Sequence, residues 1–175
     1  MKFDLNKSIE LLERTPALLE ALLSNLSPDW VMNNEGPDTW SPFDVVGHLI
    51  HGEKTDWITR ANIILDQQGN RQFKPFDRFA QFDASQGKTM EQLLIEFRPL
   101  RAANIESLRA MNIDESKLIL EGVHPEFGTV TLEQLLATWV VHDLAHIAQI
   151  TRVMAHQYAD EVGPWKAYIG LLHAK

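Results

Sequence analysis

Three long segments of this chain open on the same kind of helix-start signal, and that repetition restricts the fold more than any other feature. In TWSPFD (39–44), Ser41 is an N-cap, Pro42 takes the first helical position, where its missing N–H costs nothing, and Asp44 meets the positive end of the helix dipole. Thr89 with Gln92, and Thr131 with Gln134, form capping-box patterns ahead of two further periodic segments. These signals place helices from Pro42 to about Leu65, from Thr89 to about Met111 with Pro99 as a point of bending, and from Thr131 to about Tyr158. Residues 5–26 carry Leu and Ile at steps of three and four, which gives one more helix that Pro16 either kinks or restarts after Thr15.

The segments between are informative in a different way. Residues 27–39 are rich in Asn, Gly, Pro and Asp and read as a loop. The connection after Leu65 is long, and its Phe73, Phe76, Phe79 and Phe82 recur every three residues, so it is predicted to pack down as a cover. Short β-like runs around Gly122 and Gly128 predict a hairpin or an extended crossover, and Pro164 begins a short terminal helix ending near Leu172. Four long helices with two long connections make an all-α four-helix bundle, read as a single domain over residues 1–175.

Composition narrows the chemistry. With no cysteine, disulfides, thiolate ligands and Cys nucleophiles are excluded, and any metal must be held by nitrogen and oxygen. Sixteen Lys and Arg against twenty-four Asp and Glu leave a net charge of −8, with no basic cluster to track phosphates, so nucleic acid is not an expected partner. No run approaches the roughly 20 apolar residues of a membrane span, and the first residues lack an apolar signal core. The expectation is a cytoplasmic protein without a membrane partner.

VVHDLAHIAQI (140–150) puts His142 and His146 four apart in an otherwise almost wholly apolar segment, where an imidazole without a partner costs free energy. At about 100° per residue from His142, His146 falls near 40°, Gln149 near −20° and Thr138 near −40°, one polar stripe on a helix expected to be buried on most sides. From His48 on the second helix, Gly52 falls near 40°, Thr55 near −20° and Thr59 near 20°, small or hydroxylated residues that leave space beside the ring. Two histidines at i and i+4 plus one from a facing helix form a three-imidazole metal site with a vacant position. Gly52, Thr55, Thr59, Thr138 and Gln149 are therefore the candidate pocket residues, and Gln149 can orient a ligand or simply reach a rim.

HDLAH places Asp143 where a zincin's general base would stand, so a zincin protease is disfavoured and Asp143 takes a structural role beside a neighbour. His51, about 60° off the stripe, and His124, in a loop before Pro125, rank lower as possible ligands and read first as surface residues, as do His156 and His173. Asp44, Glu53 and Asp56 share the helix of His48, but only Asp44 lies within about 40° of its stripe, so no general base stands out. Val141, Ala145 and Ala148 form a smooth strip suited either to a homodimer contact or to a neighbouring helix of the same bundle.

Taken together, TWSPFDVVGHL (39–49) and HPEFGTVTLEQLLATWVVHDLAHIAQI (124–150) resemble the DinB-like superfamily, also called YfiT-like. The specific parts are the W-S…H segment and the H-x-x-x-H-x-x-Q segment, and the helical plan of nearly the whole chain agrees. The resemblance implies a bundle of up-down-down-up type with a divalent metal at one end, bound on this sequence by His48, His142 and His146. It also implies relatives that are transferases and isomerases using low-molecular-weight thiols such as bacillithiol or mycothiol, and others regarded as metal-dependent hydrolases.

The leading expectation is thus an enzyme acting on a small molecule, with the metal as a Lewis acid that lowers the pKa of water toward about 7 or stabilises a thiolate. A thiol would have to come from a cofactor. Three imidazoles suit Zn, Ni, Fe or Cu, and Zn, Ni or Fe is expected. The alternative is a non-catalytic bundle that binds a metal or small ligand, and a third reading has the histidines satisfying one another without metal.

Overall fold

The computed structural model describes residues 1–173. Asp4 accepts from the Lys7 N–H to cap α1 (Leu5–Leu12), and α2 (Thr15–Leu23) restarts with Pro16 in its first turn, so the first long helix is broken at the proline. The segment read as a loop holds a short helix, α3 (Pro28–Met32), again opened by a proline. At α4 (Pro42–Thr55) the capping box is complete, since the Asp44 N–H donates to Ser41 Oγ and the Asp44 carboxylate accepts the Ser41 N–H. The expected run to Leu65 is interrupted at Asp56, whose φ of −112° and ψ of −78° leave helical geometry, and α5 (Trp57–Leu65) follows.

The long connection is partly structured. The Phe73 N–H donates to the Val123 carbonyl at 2.9 Å and the Val123 N–H to the Arg71 carbonyl at 2.8 Å, and α6 (Ala80–Ser85) lies against α4. Phe73 is buried and Phe76 half-buried, but Phe79 and Phe82 are exposed, so the second half of the connection packs down through Gln81 and Ser85 rather than through its phenylalanines. α7 (Met90–Ala110) runs unbroken through Pro99, and α8 (Glu115–Leu118) leads to β1 (Glu121–His124), paired antiparallel with β2 (Gly128–Thr131). α9 (Leu132–His156) starts behind the Thr131–Gln134 capping box. The tail from Gly163 to Leu172 forms two 3-10 turns rather than one helix, because Gly170 divides a segment already too short to gain from α-helical bonding.

The bundle is built from α1–α2, α4–α5, α7 and α9. Val45, Val46 and Leu49 share a core cluster with Met90, Leu93 and Phe97, while further along both helices Glu53 meets Arg101, so α4 and α7 run parallel. Ile9 and Leu12 pack with Leu132 to Trp139, and Leu19 and Leu23 share the other cluster with Ile150, so α1–α2 runs parallel to α9. This is the up-down-down-up order. Two apolar clusters result, and polar side chains of α4, α7 and α9 occupy the level between them. α9 is not buried on most sides as expected: Val141 is 63% and Leu144 48% exposed, because no bundle helix covers that face. Among the described residues no helix is long and apolar enough to cross a membrane.

Candidate metal centre

α4 and α9 face each other antiparallel, and their opposed stripes bring three imidazoles together. His142 Nε2 stands 3.0 Å from His48 Nε2 and 3.1 Å from His146 Nε2, and the donor atoms of all three lie within 4.8 Å of one another. Among the described residues this is the one such cluster of His, Asp or Glu that could hold a metal ion. Aromatic rings fix its position: Trp40 lies 4.9 Å from His48 and stacks on His146, Phe76 meets His48 edge-on at 5.4 Å, and Trp57 meets His142 at 5.1 Å. On the far side of His146, its Nδ1–H donates to Gln149 Oε1 at 2.8 Å, which leaves Nε2 of that neutral ring as a lone pair.

Burial, aided by the neighbouring rings, pushes His48 down to about 3 and His142 down to about 2, and burial also lowers His146 against the opposing pull of Gln149. All three are neutral at pH 7 and able to donate electron pairs. His48 Nδ1 and His142 Nδ1 are buried with no hydrogen-bond partner, and the Gln81 carboxamide on α6 is likewise buried and unpaired.

His48 and His142 of the cluster line a cavity of about 480 Å³ between α4–α5, α9, the 73–78 segment and the hairpin, while His146 lies outside its lining. Of the sequence-derived pocket residues, Gly52 and Thr138 line it, and a Cβ at Gly52 would stand 3.3 Å from Trp57 Nε1, a tight contact. Gln149 sits behind His146 as its hydrogen-bond partner. Thr55 and Thr59 lie outside the cavity and are exposed. The Thr55 hydroxyl bonds back to the His51 carbonyl at 2.8 Å, and Thr59 follows the break at Asp56, where the wheel drawn from His48 no longer applies.

The same break supplies a residue that the wheel set aside. Asp56 lines the cavity, is 8% exposed, and holds Arg60 Nε at 2.5 Å on Oδ1; burial nevertheless raises its carboxyl to about 6. The other two acids are committed elsewhere, Asp44 to its cap and Glu53 to a buried network. In that network Arg101 donates to Asp143 at 2.5 and 3.0 Å, to Glu53 at 2.9 Å and to the Leu12 carbonyl at 2.9 Å, while Thr15 and Trp139 donate to Asp143 and Glu53. Burial works against the Arg101 cation, but Asp143 and Glu53 outweigh it and hold the guanidinium charged. His124 lies at the end of β1 rather than in a loop, its Nδ1 accepting from the Glu126 and Phe127 N–H groups, and it lines the cavity away from the cluster.

No curated protein matches the sequence. Among solved structures, YfiT from Bacillus subtilis, described as a probable metal-dependent hydrolase with an unusual four-helix bundle topology, superposes with a TM-score of 0.67 at 20% identity over 91% of this chain and 87% of its own. A second structure, described as a four-helix bundle protein, gives a TM-score of 0.57 at 18% identity over 85% of this chain and 98% of its own. At such identities the likeness is one of fold. The family model of the DinB superfamily matches residues 11–150, and with that match the chain belongs to the DinB superfamily.

Proposed function

We propose that the protein is a divalent-metal-dependent enzyme of small-molecule chemistry, with His48, His142 and His146 as the metal ligands. One observation carries this reading: three neutral imidazoles aim Nε2 atoms at one point, 3.0 and 3.1 Å apart, with the His146 proton committed to Nδ1 by Gln149. Lone pairs so placed repel unless a cation stands among them. The YfiT description as a probable metal-dependent hydrolase supports the same reading.

A divalent metal such as Zn, Ni or Fe supplies Lewis acidity there, acidifying a water or the thiol of a low-molecular-weight cofactor and polarising an electrophile. The chain's own contribution is more specific. The cavity walls flank His48 and His142, and Asp56 stands in that wall as a carboxyl whose raised pKa suits it to take up or return a proton near neutral pH. A thiol, where one takes part, comes from a cofactor, since the chain brings no cysteine. The exposed strip of Val141, Ala145 and Ala148 supports a homodimer, for which sedimentation equilibrium should return twice the 20.0 kDa chain mass.

Elemental analysis of untagged protein, beside His48→Ala, His142→Ala and His146→Ala, tests the site. About one metal per chain, lost in each variant, is expected. No metal in the wild type after reconstitution with Zn, Ni and Fe salts overturns the proposal.

A further inference from the structure

We infer that the guest of this cavity is a small molecule with a flat, uncharged apolar body and a single electron-rich head, the head directed at His48 and His142. The inference rests on the three-imidazole reading, because the head is to be held there. A volume of about 480 Å³ admits one ring with a short substituent, and the walls that surround it are Trp57, Phe73, Phe76, Phe127, Val130 and Leu135.

Two of these rings present bare surface. Phe127, at the hairpin turn, is 74% exposed although it stacks on His124 at 4.4 Å and 13°. Phe76 is half-buried and stands edge-on to His48 at 5.4 Å with its ring 4.9 Å from that of His51, so it borders the imidazole cluster and still presents surface to the cavity. A flat guest is the shape that covers both, since aromatic surfaces pair by offset stacking or edge contact.

The charges in the wall exclude a polyanionic body. Asp56 pairs with Arg60 Nε at 2.5 Å, and the Arg60 guanidinium lies 5.1 Å over Phe73, so the charge of the inner cation is already largely compensated. The remaining charged residues of the lining, Arg78 and Glu126, are exposed and opposite in sign. A second anionic group carried into the interior would be desolvated without a partner.

Benzohydroxamate and acetohydroxamate share one metal-coordinating head and differ in the ring, and 4-carboxybenzohydroxamate adds a charge at the far end. Calorimetric titration of the Zn-loaded full chain should give at least tenfold tighter binding of benzohydroxamate than of acetohydroxamate, and at least tenfold weaker binding of the carboxylated probe than of benzohydroxamate. Phe76→Ala should cut the ring preference to under threefold. Phe127→Ala, at an exposed turn position outside the core, should reduce it in the same direction if the first variant does not fold. A ring preference under threefold in the wild type, tighter binding of the carboxylated probe, or no hydroxamate binding by protein that holds Zn overturns the inference and leaves the metal site standing. Elemental analysis of the same samples separates that result from a chain that holds no Zn, which overturns both.

Discussion

Gln149 accepts the Nδ1–H of His146 at 2.8 Å, and this contact decides which nitrogen of the ring is left to bind. Partners of this kind typically govern roughly 10- to 100-fold in metal affinity, so Gln149→Leu should retain the fold and the metal count in excess Zn but lose affinity on that order, read by chelator competition. The neutral imidazoles also predict a pH effect on the metal-free protein. His48 at about 3 and His142 at about 2 bind protons in the unfolded chain below about 6.5 but not in the folded one, so their share of stability is full above that value and is lost as pH falls. Asp56, raised to about 6, works in the opposite sense, holding a proton when folded that the unfolded chain releases above about 3.9. These two histidines against Asp56 account for a loss of about 2 kcal/mol between pH 7.5 and 5.5, and the lowered His146 adds in the same direction, visible as a lower urea midpoint. An unchanged midpoint would mean that the rings are protonated in the fold. At this scale the sequence was legible where one helix was straight: the stripe of His142, His146 and Gln149 survives intact. Thr59 and Asp56 were misjudged together, because both were placed by a wheel that assumed no break, whereas Thr55, ahead of the break, turns its hydroxyl back to the His51 carbonyl.

Capping signals located α4, α7 and α9 to within a residue at their starts, since a Ser or Thr followed by Asp or Gln states its hydrogen bonds in the sequence. Ends and breaks were less legible. Nothing in the residues around Asp56 marks a break as a proline would, and Pro99 shows the converse, lying inside an uninterrupted helix. The pairing of residues 71–73 with Val123 was hidden for another reason, because it joins segments distant in sequence. That pairing exposes an element-scale weakness. A Cβ on Gly122 would stand 2.7 and 2.8 Å from the Phe73 ring and 2.9 Å from Ile64, so the hairpin can approach α5 and the connection only with glycine there. Gly122→Ala should therefore cost about 1 to 3 kcal/mol by overpacking, measured by urea denaturation. It should also move Phe73 within the cavity wall, which a change in benzohydroxamate affinity would report.

Across the whole molecule, one buried cation ties the bundle together. Arg101 on α7 reaches the Leu12 carbonyl of α1, Glu53 of α4 and Asp143 of α9, with Thr15 of α2 closing on Asp143, at the level between the two apolar clusters. Asp143 was expected to pair with a neighbour, but its partner was not legible, since no local pattern links positions 101 and 143. The arrangement has one cation for two carboxylates, and the surplus negative charge lies beside His142 and His146 in the chain. Removing Arg101 alone leaves both carboxylates buried without their counter-ion, so Arg101→Met should cost about 3 to 5 kcal/mol in urea denaturation. Replacing all three charges, as Arg101→Met with Glu53→Gln and Asp143→Leu, removes the unpaired ions and should recover most of that loss. The two variants separate packing from electrostatics at the neighbouring site. If the surplus charge helps to hold a cation, the triple variant should fold nearly as stably as the wild type and still bind Zn more weakly; restored stability with unchanged Zn affinity would assign the network to the fold alone.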